Sequence, residues 1–465
     1  MNSNNSNNSN NSNNSNNSNN SNNSNNYNVY FNYLIKKYNI EALLDLKNEE
    51  QVTNYSQFLV NIIDSMLEYI NSELLQLMYY DLYEEVYSNI YELLIVHYIE
   101  NNLLSRLFNI NENDAYALLC LTIKLCQNIV FKFYIPKRSY KKTYVKKCSL
   151  AKDSYSFNKI KTQLTYLKNI PQPEQRSDEW YIFRNSALTA SNIYKIFIND
   201  YSQSQLIIEK SEALNVNKYK NTNLSSPMHH GQKFEPVSIL YYEFINNTRV
   251  SEFGCIKHDN YSYIAASPDG IVCDENSPLY GRMLEIKNVV SREIDGIPKM
   301  EYWIQMQLQM EVCNLNECDF LETKFTEYST QEDYLDDVSN SYRGFIMQFC
   351  DANGEVYYEY PPFAMSKIDT KEYNIWTQEQ LEKNNNKTYV RNIYWKLEVI
   401  SCVLVLRNKL WFKNVQPLIE IFWTNLINEK ESGTYVERIS KKQKMKYEET
   451  KEKSDFPNVG CLIHL

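Results

Sequence analysis

Two carboxylates and a lysine stand at a spacing that suits metal-assisted chemistry on a phosphodiester. Asp269 follows a serine and a proline, and Glu285 lies 16 residues later, with Ile286 and Lys287 directly after it. Residues two apart on an extended strand leave the same face, so the Glu285 carboxylate and the Lys287 ammonium would address one point. Two carboxylates can hold a divalent cation there, while the ammonium orients water or offsets charge on phosphorus. The pattern alone is weak, because 23% of the residues are charged and solvated charged strands are common.

Further residues that suit such a site lie on either side of this pair. Upstream, Glu235 falls in the opening turn of a predicted helix and adds a third acid. Downstream, Gln305 lies in another predicted helix, and its amide can donate to a phosphate or hold the attacking water. Helical spacing divides this second helix into a buried stripe and a neighbouring polar stripe. The buried stripe is Trp303, Met306, Met310 and Cys313, and the neighbouring stripe is Tyr302, Gln305 and Gln309.

In this order, the motifs resemble those of the lambda-exonuclease and YqaJ-type viral recombinase nucleases, which belong to the restriction-endonuclease-like superfamily. Residues 178–191 also resemble the opening motif of that family, in which an acid precedes a tryptophan, an arginine and a Thr-Ala-Ser sequence. The resemblance covers about residues 174–330. It implies an α/β core with a central mixed β-sheet flanked by helices.

The resemblance also implies a magnesium site, in which Mn²⁺ is expected to substitute. Its expected ligands are the side chains of Asp269, Glu285 and Glu235, the last directly or through water, and the carbonyl of Ile286. Lys287 is expected to orient or deprotonate the attacking water, and Gln305 to hold that water or the phosphate. Whether one or two ions bind is left open.

A second site in the family binds the 5′-phosphate that marks a duplex end. Arg184 offers a bidentate guanidinium, while Thr189 and Ser191 offer hydroxyls where a helix is predicted to begin. Ser267 is expected to join them. In the structural alternative, the hydroxyls only cap a helix and Arg184 is a surface charge.

Three functional hypotheses follow from these residues. The first is a magnesium-dependent exonuclease that degrades linear double-stranded DNA 5′ to 3′ and generates single strands for recombination or repair. The second is an endonuclease, or a nuclease of the RecB or CRISPR-associated type that acts on single-stranded or duplex DNA. The third is a non-catalytic DNA-binding scaffold that retains the fold.

The pattern along the chain predicts an all-helical domain before the α/β core, because apolar residues recur there at three- and four-residue steps. Strands are expected between about residues 248 and 290 and again at 320–328, with the Gln305 helix between them. The predicted divisions are a disordered Asn/Ser tract at 1–26, an all-helical domain at 27–135, a basic linker at 136–173, the nuclease core at 174–365 and a helical region with a charged tail at 366–465.

Composition agrees with an intracellular, soluble protein. The sequence shows neither an apolar signal segment nor an apolar run near the length of a membrane span, so we expect no membrane association. Its ten cysteines are scattered without a CxxC pair, and only Cys402 and Cys461 lie beyond residue 350. CRISPR-associated relatives hold an iron-sulfur cluster with four cysteines. The spacing here predicts no such cluster.

The expected partners are double-stranded DNA ends. The net charge of −9 is not that of a protein that coats nucleic acid, but local groups of lysine and arginine can still bind it. Possible DNA contacts are Lys137, Arg138, Lys141, Lys142 and Tyr302. The resemblance further suggests a homo-oligomer, a single-strand annealing protein as partner and, with the Asn- and Tyr-rich composition, a large DNA virus with its host cytoplasm or viral factory as the location.

Overall fold

A computed structural model describes residues 29–79, 81–141, 154–215, 223–368 and 370–439. These residues form two compact units, which divide between Lys137 and Arg138. The Asn/Ser tract, Lys142 and most of the charged tail lie outside the described residues, so the predictions made for them stay predictions.

The first unit is helical, and its longest helix illustrates why. Its helices are α1 Glu49–Ser72, α2 Leu82–Ile95, α3 Leu103–Phe108 and α4 Glu112–Phe133. Asn48 begins α1 by accepting hydrogen bonds from the backbone N–H groups of Glu50 and Gln51. One face of α1 is buried at the predicted three- and four-residue steps, by Phe58, Ile62, Met66 and Ile70.

Helix α4 is the one described helix that is long and apolar enough to cross a membrane by length and composition. The sequence predicted no apolar run near the length of a membrane span, and this helix meets the criterion by length and composition only. Leu118, Leu119 and Ile123 are completely buried within the unit, and half of the apolar window is buried. Packing in a core accounts for this composition equally well.

The second unit is a mixed α/β structure, as predicted. Its helices are α5 Ser154–Asn169, α6 Asp178–Asn185, α7 Asp200–Ser211, α8 Pro227–Asn246, α9 Met300–Val312, α10 Gln331–Asp336, α11 Lys371–Lys383 and α12 Lys409–Ser432. Its strands are β1 Tyr140–Lys141, β2 Leu188–Thr189, β3 Val250–Ser251, β4 Ile256–Lys257, β5 Ile264–Ala266, β6 Gly270–Val272, β7 Met283–Asn288, β8 Glu317–Glu327, β9 Arg343–Cys350, β10 Val356–Glu359 and β11 Thr388–Leu406.

Two sheets organise this unit. The larger has the order β10-β9-β11-β8-β7-β6-β3, with β1 also paired to β11, and only its β7–β8 pair is parallel among the pairs described. The smaller has the order β2-β5-β4, in which β2 and β5 are parallel. The β7–β8 pair lies at the centre of the larger sheet, and β7 carries the ExK residues.

Helices cover both faces of the larger sheet. Side chains alternate along β8, so neighbouring residues point to opposite faces. Leu321 packs in a cluster with Tyr242 of α8, whereas Phe320 contacts the ring of Tyr302 of α9 at 5.7 Å between centroids. The stripe of α9 that the sequence predicted to be buried is at most 2% exposed.

The structure corrects two predicted divisions. The region from 366 onward is not only helical, because β11 is a 19-residue strand that pairs with both β8 and β9 inside the larger sheet. The predicted core at 174–365 therefore omits a central strand. Residues 136–173 are not only a linker, because β1 joins the sheet and α5 buries Leu164 and Leu167.

Candidate active site

The pairing of β6 with β7 places Asp269 beside the ExK residues. Gly270 lies opposite Leu284 in this antiparallel pair, so the same register places Asp269, one residue earlier, beside Glu285. Its carboxylate accepts a hydrogen bond from the Ile286 backbone N–H at 2.7 Å. A side chain at Gly270 would put its Cβ 2.2 Å from Val250 Cγ1 of β3, which explains the glycine after the aspartate.

Glu285 is completely buried and bound on both carboxylate oxygens. Lys287, two residues later on the same face, contacts its Oε1 in an ion pair. Gln309 of α9 donates its side-chain amide to Oε2 at 2.7 Å. The predicted convergence of Glu285 and Lys287 on one point is therefore present in the structure, and α9 supplies the amide that covers it.

The Ile286 backbone contacts Asp269 through its N–H group. A residue's N–H and C=O leave a strand toward the same side, and the Ile286 N–H already bonds the Asp269 carboxylate. Ile286 lies beyond the two β6 residues paired with β7, so we expect its carbonyl on the side of the candidate site. Its orientation suits the ligand role that the resemblance implies.

Glu235 reaches the same site from α8. It lines one cleft together with Asp269, and its carboxylate accepts a hydrogen bond from Arg176 at 3.0 Å. Arg176 has a left-handed backbone with φ of 69°. Such a conformation costs a non-glycine residue about 1–3 kcal/mol. Its ion pair with Glu235 is partly exposed, with about half of the arginine side chain and a quarter of the glutamate side chain accessible.

The carboxylates crowd one another electrostatically. Burial, together with the charges of Glu285 and Glu235, raises the pKa of Asp269 well above its ordinary value. Burial also raises the pKa of Glu235, against the opposing effect of Arg176. Burial lowers the pKa of Lys287, but the charges of Glu285 and Asp269 outweigh it, so the net shift is upward and this side chain is an ammonium.

This donor set suits a hard divalent cation. A cation would relieve the repulsion that raises the pKa values of Asp269 and Glu235. Among the described residues, no group of three or more His, Cys, Asp or Glu side chains could by itself hold a metal ion. Magnesium does not require one, because it keeps several waters and uses one or two carboxylates.

A hydroxyl cluster adjoins the carboxylates because β2 and β5 run parallel. Leu188 lies opposite Ile264, so Ser191 and Ser267 follow their strands at the same end of the small sheet. The Ser191 hydroxyl accepts a hydrogen bond from Arg184 at 3.1 Å and lies 3.2 Å from the Thr189 hydroxyl. The buried Ser267 hydroxyl has no hydrogen-bond partner among the described residues.

Arg184 is held in place by α6. Its guanidinium lies over the Trp180 ring, 4.3 Å from the centroid, one turn earlier on the helix. Ser177 begins this helix by accepting a hydrogen bond from the Trp180 N–H at 3.1 Å. The four residues predicted to bind an anion are thus close together, with Thr189 buried behind Ser191.

Three adjoining clefts connect these groups. The central cleft, of about 250 Å³, is lined by Gln175, Arg176, Trp180, Arg184, Ala190, Ser191, Gln232, Glu235, Ser267, Asp269, Gln305 and Gln309. It shares Glu235 and Asp269 with a cleft of about 500 Å³, named here the Tyr302 cleft, which also includes Lys287 and Arg292. It shares Arg176 and Arg184 with a cleft of about 930 Å³, named the Lys195 cleft. The three form one groove.

Residues 179–316 match the family model of the YqaJ-like viral recombinase domain. This stretch carries the groups described above, except Arg176 and its neighbours.

The similarity to known proteins extends beyond residues 179–316. Uncharacterized protein R354 of Acanthamoeba polyphaga mimivirus is 30% identical over 343 residues, which are 65% of this chain and 61% of that protein. The chain thus spans less than two thirds of this relative. A crystal structure of an alkaline exonuclease, LHK-Exo, from Laribacter hongkongensis is 18% identical, with a TM-score of 0.33, over 56% of this chain and 96% of that one. LHK-Exo in complex with dAMP gives a TM-score of 0.32 at 19% identity, over 55% and 95%.

The other residues predicted to contact DNA do not lie together in the structure. Tyr302 lines its cleft between two cations, with its ring centroid 5.0 Å from Lys287 Nζ and 5.5 Å from the Arg292 guanidinium. Arg138 donates to the Pro298 carbonyl, and Lys141 lies on β1. These two are not among the described residues that line the three clefts. Lys137 belongs to the helical unit, where it lies over the Tyr83 ring.

Two residues at this site were not predicted. Gln309, rather than Gln305, bonds Glu285, although the helical spacing had placed both on one stripe of the helix. Gln305 lines the central cleft nearby. Arg176 precedes the opening motif, and a single arginine in a polar stretch carries no sequence signal for contact with Glu235.

Proposed function

We propose that this chain is a metal-dependent DNA exonuclease that degrades linear double-stranded DNA 5′ to 3′ from 5′-phosphorylated ends. The match of residues 179–316 to the YqaJ-like viral recombinase domain supports a DNA exonuclease. The preference for 5′-phosphorylated ends is proposed from the central cleft. This cleft holds Asp269 and Glu235 together with Arg184, Ser191 and Ser267. An enzyme that cuts within a strand has no need of a terminal-phosphate site beside its acids.

The chain's own residues have distinct roles in this proposal. Asp269, Glu285, Glu235 and the Ile286 carbonyl hold magnesium, with Mn²⁺ as a substitute. When bound, the ion supplies positive charge at the scissile phosphate and acidifies water. Lys287 donates from its ammonium to the water or to phosphate oxygen, and Gln305 holds one of them in the cleft. Gln309 keeps Glu285 in position through its hydrogen bond.

The single strands that such an enzyme leaves are substrates for recombination or repair. A single-strand annealing protein is the partner proposed to receive them. A homo-oligomer is also proposed, since enclosing the duplex would keep the enzyme on its substrate between successive cuts.

A panel of DNA substrates tests the proposal. With magnesium, we expect rapid digestion of linear duplex that carries 5′-phosphates, slower digestion of the same duplex with 5′-hydroxyls, and no digestion of covalently closed circles. The closed circle offers no end to the hydroxyl cluster. Excess chelator should abolish digestion, and magnesium should restore it. Gel electrophoresis and release of acid-soluble nucleotides measure these outcomes.

Two results of the panel would contradict the proposal. Rapid linearisation of closed circles would indicate an endonuclease, and faster digestion of single strands than of duplex would indicate the RecB-type alternative. Duplexes labelled at one 5′ or one 3′ end establish the polarity, because a 5′-to-3′ enzyme releases the 5′ label first.

Replacing Arg184 by alanine tests the terminal-phosphate site. We expect the variant to lose about tenfold or more in kcat/KM on 5′-phosphorylated duplex and little on 5′-hydroxyl duplex, because a charge-assisted hydrogen bond is lost only with the first substrate. The measurement is the ratio of the two kcat/KM values. A matched control is Arg249→Ala, because Arg249 is 80% exposed, is not among the described residues lining the groove and pairs with the largely buried Glu243. If Arg184→Ala preserves the wild-type ratio, Arg184 does not bind the terminal phosphate.

A further inference from the structure

Arg176 lies where the two parts of the groove meet. It lines the central cleft beside Glu235 and Asp269, and it lines the Lys195 cleft beside Arg184. Its guanidinium donates to Glu235 Oε2 at 3.0 Å, and about half of its side chain remains exposed. A guanidinium carries several N–H donors in a rigid plane, so it can hold a carboxylate on one edge and an anion on another.

The backbone around Arg176 is fixed on both sides. Gln175 donates its side-chain amide to the Phe253 carbonyl at 3.0 Å and lies 3.5 Å from the Pro268 carbonyl, next to Asp269. Ser177 begins α6, which carries Arg184. Between these anchors, Arg176 adopts its left-handed conformation as the third residue of a turn, which the Ser177 N–H closes on the Glu174 carbonyl at 3.2 Å. Unfavourable backbone conformations of this kind concentrate at binding and catalytic sites.

We propose that Arg176 binds an internal phosphodiester of the DNA strand that lies in the central cleft, between the carboxylates and the terminal-phosphate site. It thereby sets the distance between the end that is bound and the bond that is cut. This inference rests on the proposed function for the identity of the strand. The contact to Glu235 orients the guanidinium, so that a second edge meets a phosphate oxygen.

An internal phosphate contact differs measurably from a terminal one. Loss of Arg176 weakens binding of 5′-phosphorylated and 5′-hydroxyl duplexes alike, because both carry the internal phosphodiester. Loss of Arg184 affects only the phosphorylated duplex. Each phosphate contact also contributes about one unit to the slope of log K against log salt concentration.

The test is Arg176→Gly in the full chain, because glycine adopts the left-handed backbone without strain. Binding of a fluorescent blunt duplex, with and without 5′-phosphate, is measured in chelator across a salt series, so that no cleavage is needed. We expect about tenfold weaker binding of both duplexes and a salt slope that is smaller by about one. Arg176→Lys should keep the slope and lose part of the affinity, because it retains the charge without the planar fork.

Thermal unfolding is measured for each variant. If the glycine variant is unfolded, Arg176→Asn replaces it, since asparagine also tolerates this backbone conformation. Wild-type affinity and slope in Arg176→Gly would overturn the inference, as would an effect confined to the phosphorylated duplex. Slower cleavage with unchanged binding would also overturn it, because Arg176 would then act only through Glu235. Absence of DNA cleavage by the wild type contradicts the proposed function instead, and the binding result still decides the role of Arg176.

Discussion

Replacing Lys287 by alanine is expected to lower the rate of DNA cleavage by roughly 10²- to 10⁴-fold while DNA binding changes little. The ammonium contacts Glu285 and lines the cleft that contains Asp269. It therefore acts where charge develops at phosphorus, and an interaction made in the transition state affects the rate more than the affinity. Single-turnover cleavage with magnesium and duplex binding in chelator measure the two quantities separately.

The control for this variant is Lys413→Ala, which removes an exposed lysine of α12 that is not among the described residues lining the groove. A loss of cleavage is informative only if the variant is folded. The thermal unfolding of both variants is therefore compared with that of the wild type. Lys287→Arg, which keeps a positive charge beside Glu285, serves if the alanine variant is unstable. Cleavage by folded Lys287→Ala at the wild-type rate would reject the assignment of this site.

Replacing Arg282 by alanine is expected to lower the free energy of unfolding by about 3–5 kcal/mol. Arg282 is 1% exposed and donates to Asp319 at 2.7 Å and to Glu317 at 2.8 Å. Asp319 is also buried and accepts a hydrogen bond from Tyr242 at 2.7 Å. Without the guanidinium, Asp319 would keep an uncompensated charge in the middle of the sheet, directly opposite Leu284 of β7.

Urea denaturation measures this loss as a lower midpoint with an unchanged slope. The control is Lys161→Ala, which breaks the ion pair of Lys161 with Glu275, both about half exposed, and should cost at most about 1 kcal/mol. If Arg282→Ala does not accumulate as folded protein, Arg282→Lys retains a charge and should show an intermediate midpoint. Equal midpoints for the Arg282 and Lys161 variants would show that the buried ion pair does not stabilise the sheet.

Some of these properties were predictable because they are local to one element. The alternation of a strand places Glu285 and Lys287 on one face whatever surrounds it, and the helical repeat explains why Trp303 and Met306 are buried. Strand β11 was missed although the β-branched and aromatic residues that favour strands make up about half of it. Pairing with β8 and β9 decides its conformation.

The sequence by itself therefore determined the residue types of the site, the shared face of Glu285 and Lys287, and the match of residues 179–316 to the YqaJ-like viral recombinase domain. Only the tertiary structure decided which distant groups meet them. The parallel pairing of β2 with β5 brings Ser191 to Ser267, and a turn before α6 brings Arg176 to Glu235. Such contacts depend on sheet register and on the closure of long loops, which no local pattern of residues encodes.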